Sequence, residues 1–130
     1  MKNNYKLIIP KELIKEIDLK EISAAEILME YFKTDISFIR RSNHKTPDFE
    51  INGLRWELKS PTGSGKHNIQ HNMQDAALQS ENIIIDGRKS KIHPIRLRNE
   101  AKYQFEIIKS LKRVLIITKS KKVLEINRKK

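Results

Sequence analysis

The chain has 130 residues, 38% of them hydrophobic and 33% charged, with a net charge of +11 and no cysteine. That is the length of one domain with enough apolar content for a core, which excludes a disordered chain and a two-domain protein. Without cysteine, disulfides and thiolate metal sites are excluded as well. No apolar run approaches the roughly 18–20 residues of a membrane span. Leu7, Ile8 and Ile9 are the longest apolar run near the start, too short for a secretory core. The expectation is a protein made and kept in the cytoplasm unless another system exports it, with no membrane partner. The 27 Lys and Arg against 16 Asp and Glu concentrate polyanions near the surface. A chain rich in Lys, Asn and Ile is also what an AT-biased genome produces, so charge alone does not select nucleic acid.

In chain order, Pro10 predicts a helix over 10–18 that buries Leu13, Ile14 and Ile17. A second helix is predicted over 20–32, burying Ala24, Ile27, Leu28 and Tyr31, with Glu26 and Glu30 on one flank. Residues 36–40 form a short strand and 41–45 a polar loop, in which His44 is either solvated or a substrate contact.

Asn52-Gly53 between two alternating runs then predicts a hairpin, because both turn positions need positive φ. With those two as the loop, Ile51 pairs with Leu54, Glu50 with Arg55, Phe49 with Trp56 and Asp48 with Glu57. Phe49, Ile51, Leu54, Trp56 and Leu58 share the core face; Asp48, Glu50, Arg55, Glu57 and Lys59 share the other. Two carboxylates held about 5 Å apart repel unless a positive charge lies between them. A divalent cation would remove the conflict, and Lys59 adds an ammonium on the same face. Oxygen ligands of this kind suit Mg²⁺ or Mn²⁺, and carboxylates can also take Zn²⁺. The competing reading is a solvated strand face whose acids are balanced by Lys45 or Arg55.

Residues 60–66, with Gly63 and Gly65, form a flexible loop entering a third helix over 67–80. Free N–H groups at the helix start, with Lys66, could hold a phosphate. The glycine spacing is not that of a nucleotide-hydrolysing loop. Ile69, Met73, Ala76 and Ala77 are the buried side, with His67, Gln70, His71 and Gln74 exposed. His67 and His71 have a zinc-ligand spacing, but no third ligand lies near in sequence. Residues 82–86 read as a buried strand parallel to the Trp56 strand. A fourth helix over 94–112 buries Leu97, Ala101, Phe105, Ile108 and Leu111. Residues 113–118 and 123–127 close the sheet as a hairpin, and Arg128 begins a basic tail. The chain divides into an N-terminal helical extension (1–19), a motif-bearing core (20–86) and a C-terminal helix and hairpin (94–127). The fold expected is a single α/β (α+β) domain, a mixed central sheet flanked by helices.

Pro47-Asp48 followed by Glu57-Leu58-Lys59 on the next strand resembles the signature of the PD-(D/E)XK nuclease superfamily, whose fold is restriction-endonuclease-like. The longer run over 20–86 resembles the C-terminal nuclease domains of CdiA-type contact-dependent growth-inhibition toxins. Its shared pieces are an acid before an Ala-rich helix, Lys45-Thr46-Pro47-Asp48, the hairpin, Ser60-Pro61, a Gly/Ser loop and an Asn/Gln-rich helix leading to an apolar strand. The resemblance implies an endonuclease acting on tRNA, other RNA or DNA, with Asp48 and Glu57 holding a metal ion and Lys59 steering the attacking water. It also implies a further acid from the second helix; Glu21 is favoured by the alignment, and Glu26 and Glu30 stay open on helix geometry. Ser60, Thr62, Lys66, His67, His71 and Gln79 are the candidate substrate contacts. A neutralising immunity or antitoxin protein is implied by the same resemblance, which covers a catalytic module without a delivery region.

Two competing readings remain. A metal-independent RNase of the barnase, colicin or RelE-like toxin group would use His67 or His71 as general acid or base. A non-catalytic nucleic-acid-binding module would keep the fold without turnover.

Overall fold

A computed structural model describes residues 4–40 and 46–128. The predicted contact from His44 and the charge balance from Lys45 lie outside those residues. Among the described residues seven strands form one sheet whose spatial order follows the chain: β1 (Leu7–Ile8), β2 (Ile36–Phe38), β3 (Phe49–Ile51), β4 (Leu54–Lys59), β5 (Asn82–Asp86), β6 (Arg113–Ile117) and β7 (Val123–Ile126). β1–β2, β4–β5 and β5–β6 are parallel; β2–β3, β3–β4 and β6–β7 are antiparallel. The expected mixed sheet in a single α+β domain is therefore present, with β1 as a strand the sequence did not announce.

The sheet is covered by α1 (Leu19–Phe32), α2 (Asn68–Ala77) and α3 (Pro94–Ile107). They divide between its two faces. Ala24, Ala25 and Leu28 of α1 pack with Ile36, Phe38, Phe49, Ile51, Trp56 and Leu58. On the other face, Ile69 and Met73 of α2 and Leu97, Ala101 and Phe105 of α3 pack with Ile83, Ile85, Val114 and Ile116. Parallel pairing places Glu57 beside Ile83 and Lys59 beside Ile85, so both side chains share the α2–α3 face.

Several local expectations are corrected. The helix over 10–18 is only a one-turn 3-10 segment, Lys11–Leu13. Asp18 must be extended (φ −87°, ψ 167°) to cap α1, where its carboxylate accepts the Glu21 N–H at 2.8 Å. Tyr31, expected in the buried stripe, is exposed, and Ala25, not expected there, is buried. α3 stops at Ile107 because Ile108 turns to an extended conformation (ψ 93°), which lets Leu111 reach the core from beyond the helix. The free carbonyls at that end have a partner from far along the chain. Arg128 donates from Nε to Phe105 O (2.9 Å) and from Nη2 to Ile108 O (2.8 Å), and its guanidinium lies 4.3 Å over the Phe105 ring. The first residue of the supposed basic tail is thus a helix cap.

Candidate active site between strands β3 and β4

The hairpin forms in the predicted register. Asn52 (φ 52°) and Gly53 (φ 79°) are both left-handed, and Ile51–Leu54, Glu50–Arg55 and Phe49–Trp56 are the paired residues. Regular pairing ends there. The Asp48 N–H donates to Trp56 O at 3.0 Å, so Asp48 and Phe49 both lie opposite Trp56, as at a β-bulge. The Asp48 carboxylate then turns across the gap and accepts the Leu58 N–H through Oδ2 at 2.8 Å. The bend in the strand, together with that bond, aims Asp48 at Glu57.

Glu57 is 5% exposed. Its Oε2 lies 3.7 Å from Lys59 Nζ, and no donor reaches its buried Oε1. Burial first, then the charge of Asp48 and a hydrogen bond with it, push the Glu57 carboxyl up to about 8 against the opposing pull of Lys59. The orphan oxygen and the raised pKa describe one state. Burial and the facing Asp48 favour the neutral form of Glu57; once Glu57 ionises, a cation beyond Lys59 is needed to offset them.

Lys59 is fixed from a second side by an acid the sequence reading overlooked. Its Nζ lies 3.0 Å from Oδ2 of Asp75 on α2, a side chain two-thirds exposed. The signal was present, since Asp75 is the single Asp, Glu, Lys or Arg in α2. The pairing itself depends on α2 folding back over β4 and β5.

The other candidates are spread around this centre. Glu21 is half-buried in the first turn of α1, on the helix that covers the opposite face, and it is not among the groups that shift Glu57. Glu26 and Glu30 are exposed farther along α1. Ser60 and Thr62 line a cavity at the carboxyl end of β4. Lys66 and His67 are exposed just before α2, which starts without a side-chain cap. His67 Nδ1 is 3.1 Å from Gln70 Oε1, and the His67 and His71 rings are 6.0 Å apart. Gln79 lines a different cavity with Arg55 and Asn82, at the end of β4 where the chain enters from the turn. It lies away from Lys59.

Among the described residues no set of three or more His, Asp or Glu side chains is grouped as a metal centre. Asp48 and Glu57 nevertheless fit a hard divalent ion. Both are oxygen donors, one oxygen is buried without a partner, and Mg²⁺ is commonly held by one or two carboxylates with waters completing its shell.

The pattern of the contact-dependent growth inhibition CdiA C-terminal domain matches residues 45–123. The chain belongs to that family. The matched stretch holds Asp48, Glu57, Lys59 and Asp75, and leaves Glu21 outside. A chain of the CdiA-CT/CdiI toxin and immunity complex from Burkholderia pseudomallei has the same fold, with a TM-score of 0.71 over 94% of this chain and 98% of that one at 20% identity. No curated protein sequence matches. No helix among the described residues of this CdiA C-terminal domain is long and apolar enough to cross a membrane.

Proposed function

We propose that this CdiA C-terminal domain is a toxin module acting as a metal-dependent endonuclease on nucleic acid, in the manner of the PD-(D/E)XK superfamily. The observation that carries the reading is the buried Glu57 carboxyl, set against Asp48 with one oxygen unpartnered and an ammonium group beside it. Asp48 and Glu57 are the residues that would hold Mg²⁺, with Mn²⁺ or Zn²⁺ as alternatives. A divalent ion bound there supplies a Lewis acid for the phosphate and lowers the pKa of water.

The chain's own residues do the positioning. Lys59, anchored by Asp75, has donors and no acceptor, so it orients the oxygen of the attacking water and offsets charge growing on the phosphate. The Leu58 N–H keeps the Asp48 carboxylate turned inward. Glu21 is proposed as an outer carboxylate at the start of α1. The loop of Ser60, Thr62, Lys66 and His67 is proposed to contact substrate phosphates. The family name supports delivery into a neighbouring cell, and the toxin and immunity complex of similar fold supports a cognate immunity protein as partner.

The test is incubation of the purified domain with DNA, tRNA and total RNA, in Mg²⁺, Mn²⁺, Zn²⁺ or chelator. Cleavage of one of these substrates with metal is expected. It should disappear in chelator and fall at least 100-fold in folded Asp48→Ala and Lys59→Ala variants. Full activity in chelator, or in Lys59→Ala, would contradict the mechanism. A chelator-resistant activity leaving 2′,3′-cyclic phosphate ends would instead assign the chemistry to His67 or His71.

A further inference from the structure

A cavity of about 430 Å³ opens at the carboxyl ends of β4 and β5, the end at which open α/β sheets bind ligands. Asp86 pairs in register with Ile117, whose side chain packs in the α1 core. The cavity therefore belongs to the α1 face, behind Glu57 and Lys59. Its walls carry five basic side chains, Lys20, Arg88, Lys89, Lys119 and Lys121, and one carboxylate, Asp86.

That carboxylate does not neutralise the cavity. Asp86 is buried, and Arg88 takes both its oxygens, Nε to Oδ1 at 2.9 Å and Nη2 to Oδ2 at 2.8 Å. Nη1 of Arg88 donates to Ser23 Oγ of α1 at 2.7 Å. The guanidinium is thus a fixed fork with two of its five N–H groups left over. None of the four lysines makes an ion pair among the described residues. Cations gathered from α1, the segment after β5 and the β6–β7 turn repel one another until an anion enters.

Two observations choose the anion. Positive charges spread over three elements exceed what one small phosphate needs, and match a chain of phosphates. Leu19 is the sole apolar side chain in the lining, so the surface lacks the buried apolar centre of a protein interface. Ser60, on the cavity wall, directly follows Lys59 in the chain.

We propose that this cavity is a phosphate-backbone site for the nucleic-acid substrate, with Arg88 as its fixed anchor and the four lysines holding phosphates that flank the one presented to Glu57 and Lys59. The inference rests on the endonuclease reading and is tested without cleavage. In a Lys59→Ala background with chelator, anisotropy of labelled single-stranded and duplex oligonucleotides, RNA and DNA, is measured across a salt series. Lys89→Gln, Lys119→Gln and Lys121→Gln combined are compared with Lys15→Gln, Lys102→Gln and Lys109→Gln, an equal loss of charge on exposed lysines outside the cavity.

The cavity variant is expected to bind at least 10-fold more weakly, with its log–log salt slope reduced by about 2. The control should change less than 3-fold. Equal weakening of both variants overturns the proposal. So does a cavity variant that binds like the parent, a parent that binds no oligonucleotide, or capture of an acidic protein in the cavity with nucleic-acid affinity unaltered. If the cavity variant loses affinity while the wild-type domain never cuts, the site stands and the endonuclease reading fails.

Discussion

A carboxyl group that is 5% exposed, faces a second carboxylate and keeps one oxygen without a donor opposes folding whenever it is ionised. For Glu57 the pKa rises from 4.5 to about 8 on folding, so between those values the folded chain keeps a proton that the unfolded chain has released. The stability attached to that proton is complete below about pH 4.5 and is lost as pH climbs through about 8. Urea unfolding should therefore show a decline from pH 5 to pH 9 in the metal-free protein. Glu57→Gln should remove this component of the decline and be the more stable protein at pH 9, by on the order of a few kcal/mol, while losing activity. A parallel pH dependence in the two proteins would show that Glu57 does not carry the proton. Stability given up at one buried acid is the cost the proposed site would carry.

The hairpin is the element that makes this arrangement. Asn52-Gly53 sets the register, and the register sends Phe49, Ile51, Trp56 and Leu58 to one core while Glu57 and Lys59 face the other. A Cβ on Gly53 would meet no atom within 4 Å, so substitution there strains only the backbone at φ 79°. Gly53→Val should lower stability by about 1–2 kcal/mol in chemical unfolding, with activity falling in proportion to the unfolded fraction. No loss of stability would mean that the turn does not govern the register. This element was legible in the sequence because its determinants are local: two turn residues and a two-residue period. β5 and the start of α3 at Pro94 were legible for the same reason. Features built by distant partners were not. β1 exists because β2 pairs with it and Asp35 accepts the Lys6 N–H. Asp75 reaches Lys59 only once α2 has folded back, and the cap on α3 comes from Arg128, 20 residues beyond Ile108. The bulge at Asp48 was equally hidden, since alternation alone carries the ladder straight on to Glu57.

Across the whole molecule, charge is sorted by the sheet. One face near its carboxyl end holds two acids and an anchored lysine, and the other opens a cavity rimmed with cations. A net charge of +11 draws polyanions to any part of the surface, whereas this sorting sets a basic cavity apart from the acid pair. Composition disclosed the total and nothing of the division, because the cavity assembles from segments far apart in the chain, Lys20 to Lys121. The proposed catalysis depends on a metal ion at Asp48 and Glu57 taking the place of the proton that burial keeps on Glu57. Calorimetric titration of Mn²⁺ into the domain, in buffers of different ionisation enthalpy, measures that exchange. Release of about one proton per ion is expected at pH 7, vanishing by pH 9.5, with binding lost in Asp48→Asn. Mn²⁺ uptake at pH 7 without proton release, or undiminished in Asp48→Asn, would contradict it.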